Sequence, residues 1–161
     1  MAVDMFLKLD GIEGEAQDDK HKKEIDVLAW SWGASQSGTT HMGAGGGGGK
    51  ANVQDVSFTH YIDSASHNLL QRVFDGKHIS EGTLVVRKAG GTPLEYLTIK
   101  MTDIMVTNVS TGGSGGEDRL TENVTLNFSK VDYTYKPQKD DGTAEADKKA
   151  GWDIAENKTT V

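Results

Sequence analysis

The chain has 161 residues, of which 17 are Lys or Arg and 24 are Asp or Glu, for a formal net charge of −7. An acidic balance of this kind offers no electrostatic footprint for nucleic acid and no attraction to an anionic membrane surface. Cysteine is absent, which excludes a disulfide framework, a thiol nucleophile and cysteine-ligated zinc together.

The length fits one domain over residues 1–161. Met5, Leu7 and Leu9 alternate with Phe6, Lys8 and Asp10, which predicts a first strand with one buried face. The same opening segment is broken by Asp4, Lys8 and Asp10, so it is not expected to act as a signal peptide. No run approaches the ~18 apolar residues of a spanning helix. The stretch EIDVLAWSWGAS (24–35) reads as a second strand. Leu28, Trp30 and Trp32 are expected to face the core, with Val27, Ala29, Ser31 and Gly33 on the opposite side.

Segments 52–62, 82–89, 94–102, 104–111 and 121–135 are further predicted strands, bounded by Gly, Pro, Asp or Asn. Gly90 to Pro93 reads as a hairpin turn. The 121–135 segment changes phase: Val124, Leu126 and Phe128 hold even positions, Val131, Tyr133 and Tyr135 odd ones. A flip of that kind implies a bulge or a strand that changes neighbours. One helix is predicted over about 64–75, capped by Asp63-Ser64 and Gly76, with Leu69, Leu70, Val73 and Phe74 as its apolar stripe. Residues 136–150 read as a polar linker before a C-terminal strand anchored by Trp152.

Two glycine-rich stretches interrupt the strands, GTTHMGAGGGGGK (38–50) and TGGSGGED (111–118). The first is not a phosphate-binding loop. Ala44 stands where that motif needs its leading Gly, Ala51 where it needs Ser or Thr, and a strand follows where a helix is required. Its glycines cannot supply a core and lose much backbone entropy when ordered. As a doubled-back loop it can project ~20 Å at ~3.3 Å per residue. The five histidines are too widely spaced to suggest a metal pair, and hydrogen-bonded or solvated imidazoles are expected. No nucleophile-elbow motif occurs, so no catalytic residue, cofactor or metal is assigned. Two features keep two readings each. The small Ala29 and Ser31 face suits an ordinary exposed sheet surface or the smooth wall of a shared cavity. The Glu117-Asp118-Arg119 cluster suits a solvated turn or a charged contact between subunits.

The strings AVDMFLKL, EIDVLAWSWGASQSG, HMGAGGGGGKANVQDVSFTHYID and VSTGGSGGEDRLTENVTLNFSKVDY together resemble the Hcp (haemolysin co-regulated protein) family. The likeness runs from Ala2 to Trp152. It implies a mainly β fold, an antiparallel two-sheet β-barrel with one short flanking helix, and no enzymatic activity. It also implies a homohexameric ring that stacks into the inner tube of a bacterial type VI secretion system. The tube is sheathed by a contractile layer and tipped by a valine-glycine-repeat spike protein. On this likeness the protein sits in the cytoplasm before firing and is then exported, and some members of the family also hold and chaperone small effector proteins in the ring lumen. Some members carry an extra toxin domain after the barrel, and none is expected here. Within that frame the expected ring-stacking loop comprises Gly38, Met42, Gly43, Gly45, Gly46, Gly47 and Lys50. Ala29 and Ser31 are the expected cargo-facing residues, and Glu117, Asp118 and Arg119 the expected subunit contact. The competing readings are a solitary β-sandwich binding module and a hydrolase on a β scaffold.

Overall fold

A computed structural model describes residues 2–38, 40, 41, 43, 47–90 and 92–161. Among these residues it is mainly β, with one helix and two sheets. Strand β1 (Val3–Leu9) pairs antiparallel with β7 (Ile79–Lys88), which pairs with β8 (Leu94–Thr111), which pairs with β9 (Thr121–Tyr135). Strand β9 then forks. Its first half pairs with β6 (Val56–Tyr61) and its second with β10 (Lys148–Asp153), followed by β11 (Lys158–Thr159). The phase flip predicted for 121–135 is this change of neighbour: Val124, Leu126 and Phe128 are buried on one side of it and Val131 on the other.

The segment 25–31 spans the remaining seam. Its first part, β2 (Ile25–Asp26), pairs with β1, and its second, β3 (Ala29–Ser31), pairs with β6. The handover is visible in two adjacent amides: Val27 N–H donates to Met5 O at 2.9 Å and Leu28 N–H to Thr59 O at 2.8 Å. Among the described residues the large sheet thus wraps the core without a ladder that closes it. The same handover corrects the expected phase of 27–33. Val27 is buried and Leu28 is 42% exposed, while Trp30 and Trp32 are only partly buried against the core. A segment that changes partner in mid-run restarts its alternation, and uniform parity read from the sequence fails at that point.

The interior is filled by aliphatic side chains, among them Leu7, Ile25, Leu84, Ile99, Ile104 and Leu126, each at most 1% exposed. Each such side chain contributes about 1.5–3 kcal/mol by leaving water. Phe6, expected on the polar face of β1, is also buried. Residues 11–24 fold back over the outer face of β1 and β7, where His21 stacks on Phe6 and Asp18 accepts from Arg87, and are closed on themselves by Gly14 N–H to Lys23 O at 2.7 Å and Ala16 N–H to Glu24 O at 3.0 Å. Gly14 is required there, because a Cβ would stand 2.5 Å from Glu24 O.

Other predicted boundaries shift. The 52–62 segment breaks at Gln54-Asp55 into β5 (Asn52–Val53) and β6, and β5 pairs with β4 (Ala34–Ser35) as the second sheet. The segments 94–102 and 104–111 are one strand of 18 residues. It carries Asp103 at φ 56° and a register shift between Val106 and Asn108. The 136–150 linker is shorter than expected, since β10 begins at Lys148. Helix α1 (Ser66–Asp75) starts two residues late and ends on Gly76 in the left-handed conformation, φ 67°. Of its stripe, Leu69 is buried and Val73 packs on the core, but Leu70 and Phe74 are exposed.

Candidate functional site

The register of β3 against β6 puts Ala29 beside Thr59 and Ser31 beside Ser57, and β6 against β9 puts Thr59 beside Asn123 and Ser57 beside Thr125. Phe58 and Val124, one residue over, point into the core. Ala29 and Ser31 therefore lie on a solvent-facing sheet surface built of small neutral groups. Thr59 Oγ1 donates to Asn123 Oδ1 at 2.5 Å, and the Ser57 and Thr125 hydroxyls are 3.3 Å apart. A shallow groove of about 240 Å³ runs along it, lined by Ala29, Ser31, Ser57, Thr59 and Asn123 with the backs of Trp30 and Phe58. In a chain with 25% charged residues, none of these groove residues is ionisable.

The expected stacking loop rises from the second sheet. Gly38 and Gly48 are bridged antiparallel beyond the β4–β5 pair, so the two arms run back to back. Gly43, at φ 85°, uses a backbone region closed to most side chains. Gly38, Gly43, Gly47 and Lys50 are exposed. Met42, Gly45 and Gly46 lie outside the described residues. At the root, Trp32 Nε1 donates to Gln54 O at 2.9 Å, and Trp32 stacks on Tyr133 with ring centroids 6.4 Å apart. Trp32, Tyr133 and Trp152 line an apolar recess of about 250 Å³ there.

The Glu117-Asp118-Arg119 cluster separates. The Arg119 guanidinium lies over the Tyr61 ring, 3.8 Å from its centroid, while Glu117 and Asp118 stay in solvent. Arg119 and Tyr61 border a recess of about 520 Å³ with Glu15, Asp26 and Asp63. Burial, then the nearby Asp63 carboxylate, raise the Asp26 pKa above the usual carboxylate value.

Below that recess lies a cluster the sequence does not announce. His60 is 0% exposed, with Nε2 2.7 Å from Glu122 Oε1 and Nδ1 3.6 Å from Asp63 Oδ2. The second distance exceeds a hydrogen bond, so that attraction is coulombic. Burial opposes the imidazolium, but the two carboxylates outweigh it and the His60 pKa is raised. Only Asp63, three residues on, was a local signal. Glu122 comes from 62 positions away. A second buried histidine, His21, sits between Glu24 and Glu95 at 2.8 and 2.7 Å and stacks on Phe6. Among the described residues no group of three or more His, Cys, Asp or Glu side chains forms a metal-holding set, and no helix is long and apolar enough to cross a membrane.

Comparison with known proteins agrees with this architecture. Residues 6–135 match the family model described as type VI secretion system effector, Hcp. The chain is 57% identical to protein hcp1 of Pseudomonas aeruginosa over 159 residues, 98% of each chain. Among solved structures, a type six secretion system protein superimposes with a TM-score of 0.92 at 32% identity, over 99% of this chain and 100% of that one. Hcp1 from Salmonella typhimurium gives 0.79 at 42% identity over 99% of both. A type VI secretion system effector from Yersinia pestis gives 0.78 at 44%, over 94% of this chain and 100% of that one.

Proposed function

The chain belongs to the Hcp family of type VI secretion system proteins, and from that premise we propose that it is a structural tube subunit rather than a catalyst. Six copies close into a ring, and rings stack into a hollow tube that is exported by a contractile sheath behind a valine-glycine-repeat spike. Closure into a ring is a standard way for a β protein to dispose of free sheet edges. The reading draws on one observation above the rest: a groove of small, uncharged side chains, including Ala29 and Ser31, on a protein in which 25% of the residues are charged. Set around a central axis, that surface forms a wall wide enough for a folded effector, and several weak contacts act together on an enclosed passenger. The glycine-rich stretch, whose Gly38 and Gly48 are bridged and exposed, is suited to reach an adjacent ring, and Glu117 and Asp118 to meet a neighbouring subunit.

The test is size-exclusion chromatography with light scattering on the purified protein, followed by negative-stain microscopy. A particle near six times the monomer mass with a central hole is expected. A monomer overturns the reading. Ser31→Gln is expected to keep the particle mass while lowering effector retention and export. Loss of the hexamer in that variant moves Ser31 to a subunit contact.

A further inference from the structure

We propose that His60, Glu122 and Asp63 form a proton-dependent latch that holds the entry of α1 and the end of the 112–120 loop against the β6–β9 pair. The geometry carries the argument. Three ionisable side chains meet out of solvent: His60 at 0%, Glu122 at 4% and Asp63 at 8% side-chain exposure. Each belongs to a different part of the fold, β6, β9 and the turn before α1. Asp63 is also the fastening of that turn. Its Oδ1 accepts from Ala65 N–H at 2.8 Å, its N–H donates to Ser66 Oγ at 3.0 Å and its carbonyl accepts from Ser66 N–H at 3.1 Å. The helix has no acidic residue in its first turn and no side-chain cap of its own, so its entry rests on Asp63 together with Glu15, which accepts from Ser64 N–H at 2.9 Å. The residue before Asp63, Ile62, donates its N–H to Leu120 O at 2.9 Å, which ties the 112–120 loop to the same turn.

The charge balance decides when the latch is closed. With the imidazole protonated, two carboxylates face one cation. With it neutral, two buried carboxylates face each other's field with no cation between them, and desolvated like charges repel strongly. Among the described residues no other element supplies a compensating cation at the imidazole. The β3 residues paired with β6 are Ala29, Trp30 and Ser31. On α1, His67 is exposed, and Arg72 at the far end is occupied with His78 O at 3.3 Å. Beyond Asp63 the recess adds Asp26 and Glu15, and Arg119 is committed to the Tyr61 ring. Aromatic Phe58, with its ring centroid 5.5 Å from that of His60, keeps the near side apolar. Removing the proton therefore favours release of Asp63 into the adjoining recess, and with it the helix entry.

Linkage fixes the sign. His60 binds its proton more tightly in the closed state, so closure is complete below about pH 6.5, the ordinary histidine value. Closure weakens as pH rises through the higher pKa of the closed state. The experiment is amide hydrogen exchange on the intact protein from pH 5.5 to 9, with rates divided by the intrinsic base-catalysed rate. The opening constant at Ala65 and Leu69 is expected to rise by up to about tenfold per pH unit within the window, while Leu84 and Ile99 in the β7–β8 ladder stay level. In His60→Gln the Ala65 and Leu69 rise should disappear. If that variant does not fold, the wild-type imidazole is followed instead by nitrogen chemical shift. A midpoint above 6.5 that coincides with the Ala65 opening supports the latch. A flat Ala65 profile, a rise shared equally by Leu84 and Ile99, or an imidazole that does not titrate across the range overturns it.

Discussion

Two ionic clusters hold loops onto this sheet, and they are built on opposite principles. On the β1–β7 face, Arg87 donates two parallel hydrogen bonds to Asp18, at 3.0 and 2.6 Å, and a third to Asp4 at 3.1 Å. Its guanidinium also sits 5.1 Å from the Phe6 ring centroid. The cation is buried, but its partners reach water, with Asp18 25% and Asp4 45% exposed at the side chain. In the β6–β9 cluster all three members are out of solvent. The first pins residues 11–24 with a cation that never titrates in the biological range. The second pins the α1 entry with an imidazolium, a cation that can lose its charge with its proton. The lesson is that exposure of the carboxylates and identity of the cation separate a permanent clamp from a conditional one.

The largest effect is expected from His60→Leu, which leaves two buried carboxylates without their cation. Loss of about 3–5 kcal/mol is typical for breaking a buried pair from one side, measured by chemical denaturation at pH 6. The double variant His60→Leu with Glu122→Leu should recover much of it. A single variant as stable as wild type breaks the distinction between the clusters. Next in size, Arg87→Ala should cost about 1–3 kcal/mol, through lost packing of its stem on Phe6 and lost hydrogen bonds. The released Asp18 and Asp4 simply rehydrate. A loss larger than that of His60→Leu would reverse the order.

A smaller effect concerns acid. Arg87 beside Asp18 holds that carboxylate's pKa down to about 2, so its stabilisation is present above the ordinary value near 3.9 and fades as pH falls through about 2. The stability gap between wild type and Asp18→Asn should be constant from pH 5 to 7 and close in strong acid. Stability curves that stay parallel below pH 3 would remove the Asp18 contribution. The smallest difference is in salt. At 1 M the screening length falls to about 3 Å, so the deficit of Arg87→Ala should shrink with added salt while that of His60→Leu holds. Equal shrinkage would show that both clusters see the same solvent.

Much of this protein was legible along the chain because its strands obey period two. The Met5, Leu7, Leu9 and Val124, Leu126, Phe128 sets were found from parity alone, as was the flip before Val131, and the family followed from long collinear strings. The sheet surface carrying Ala29 and Ser31 was also legible, although its stated reason was partly wrong: Leu28 does not share the core with the two tryptophans. What parity could not register was a second layer outside the sheet. Phe6 and Arg87 look like solvent-facing residues until residues 11–24 are seen lying over them. Likewise, Glu117, Asp118 and Arg119 are adjacent in sequence yet part company, because a guanidinium can lie on the Tyr61 face while carboxylates gain nothing there.

By itself the sequence determined the class of fold, the helix and its Gly76 stop, since each depends on the local periodicity and backbone freedom of neighbouring residues. Only the tertiary structure decided which strand each segment pairs with, where 25–31 changes partner, and which carboxylates surround His60. Most of those outcomes rest on groups distant along the chain, such as Leu28 with Thr59, His60 with Glu122 and Arg87 with Asp18. A buried charge is stable only where such partners converge in three dimensions, and nothing in the local pattern records that convergence.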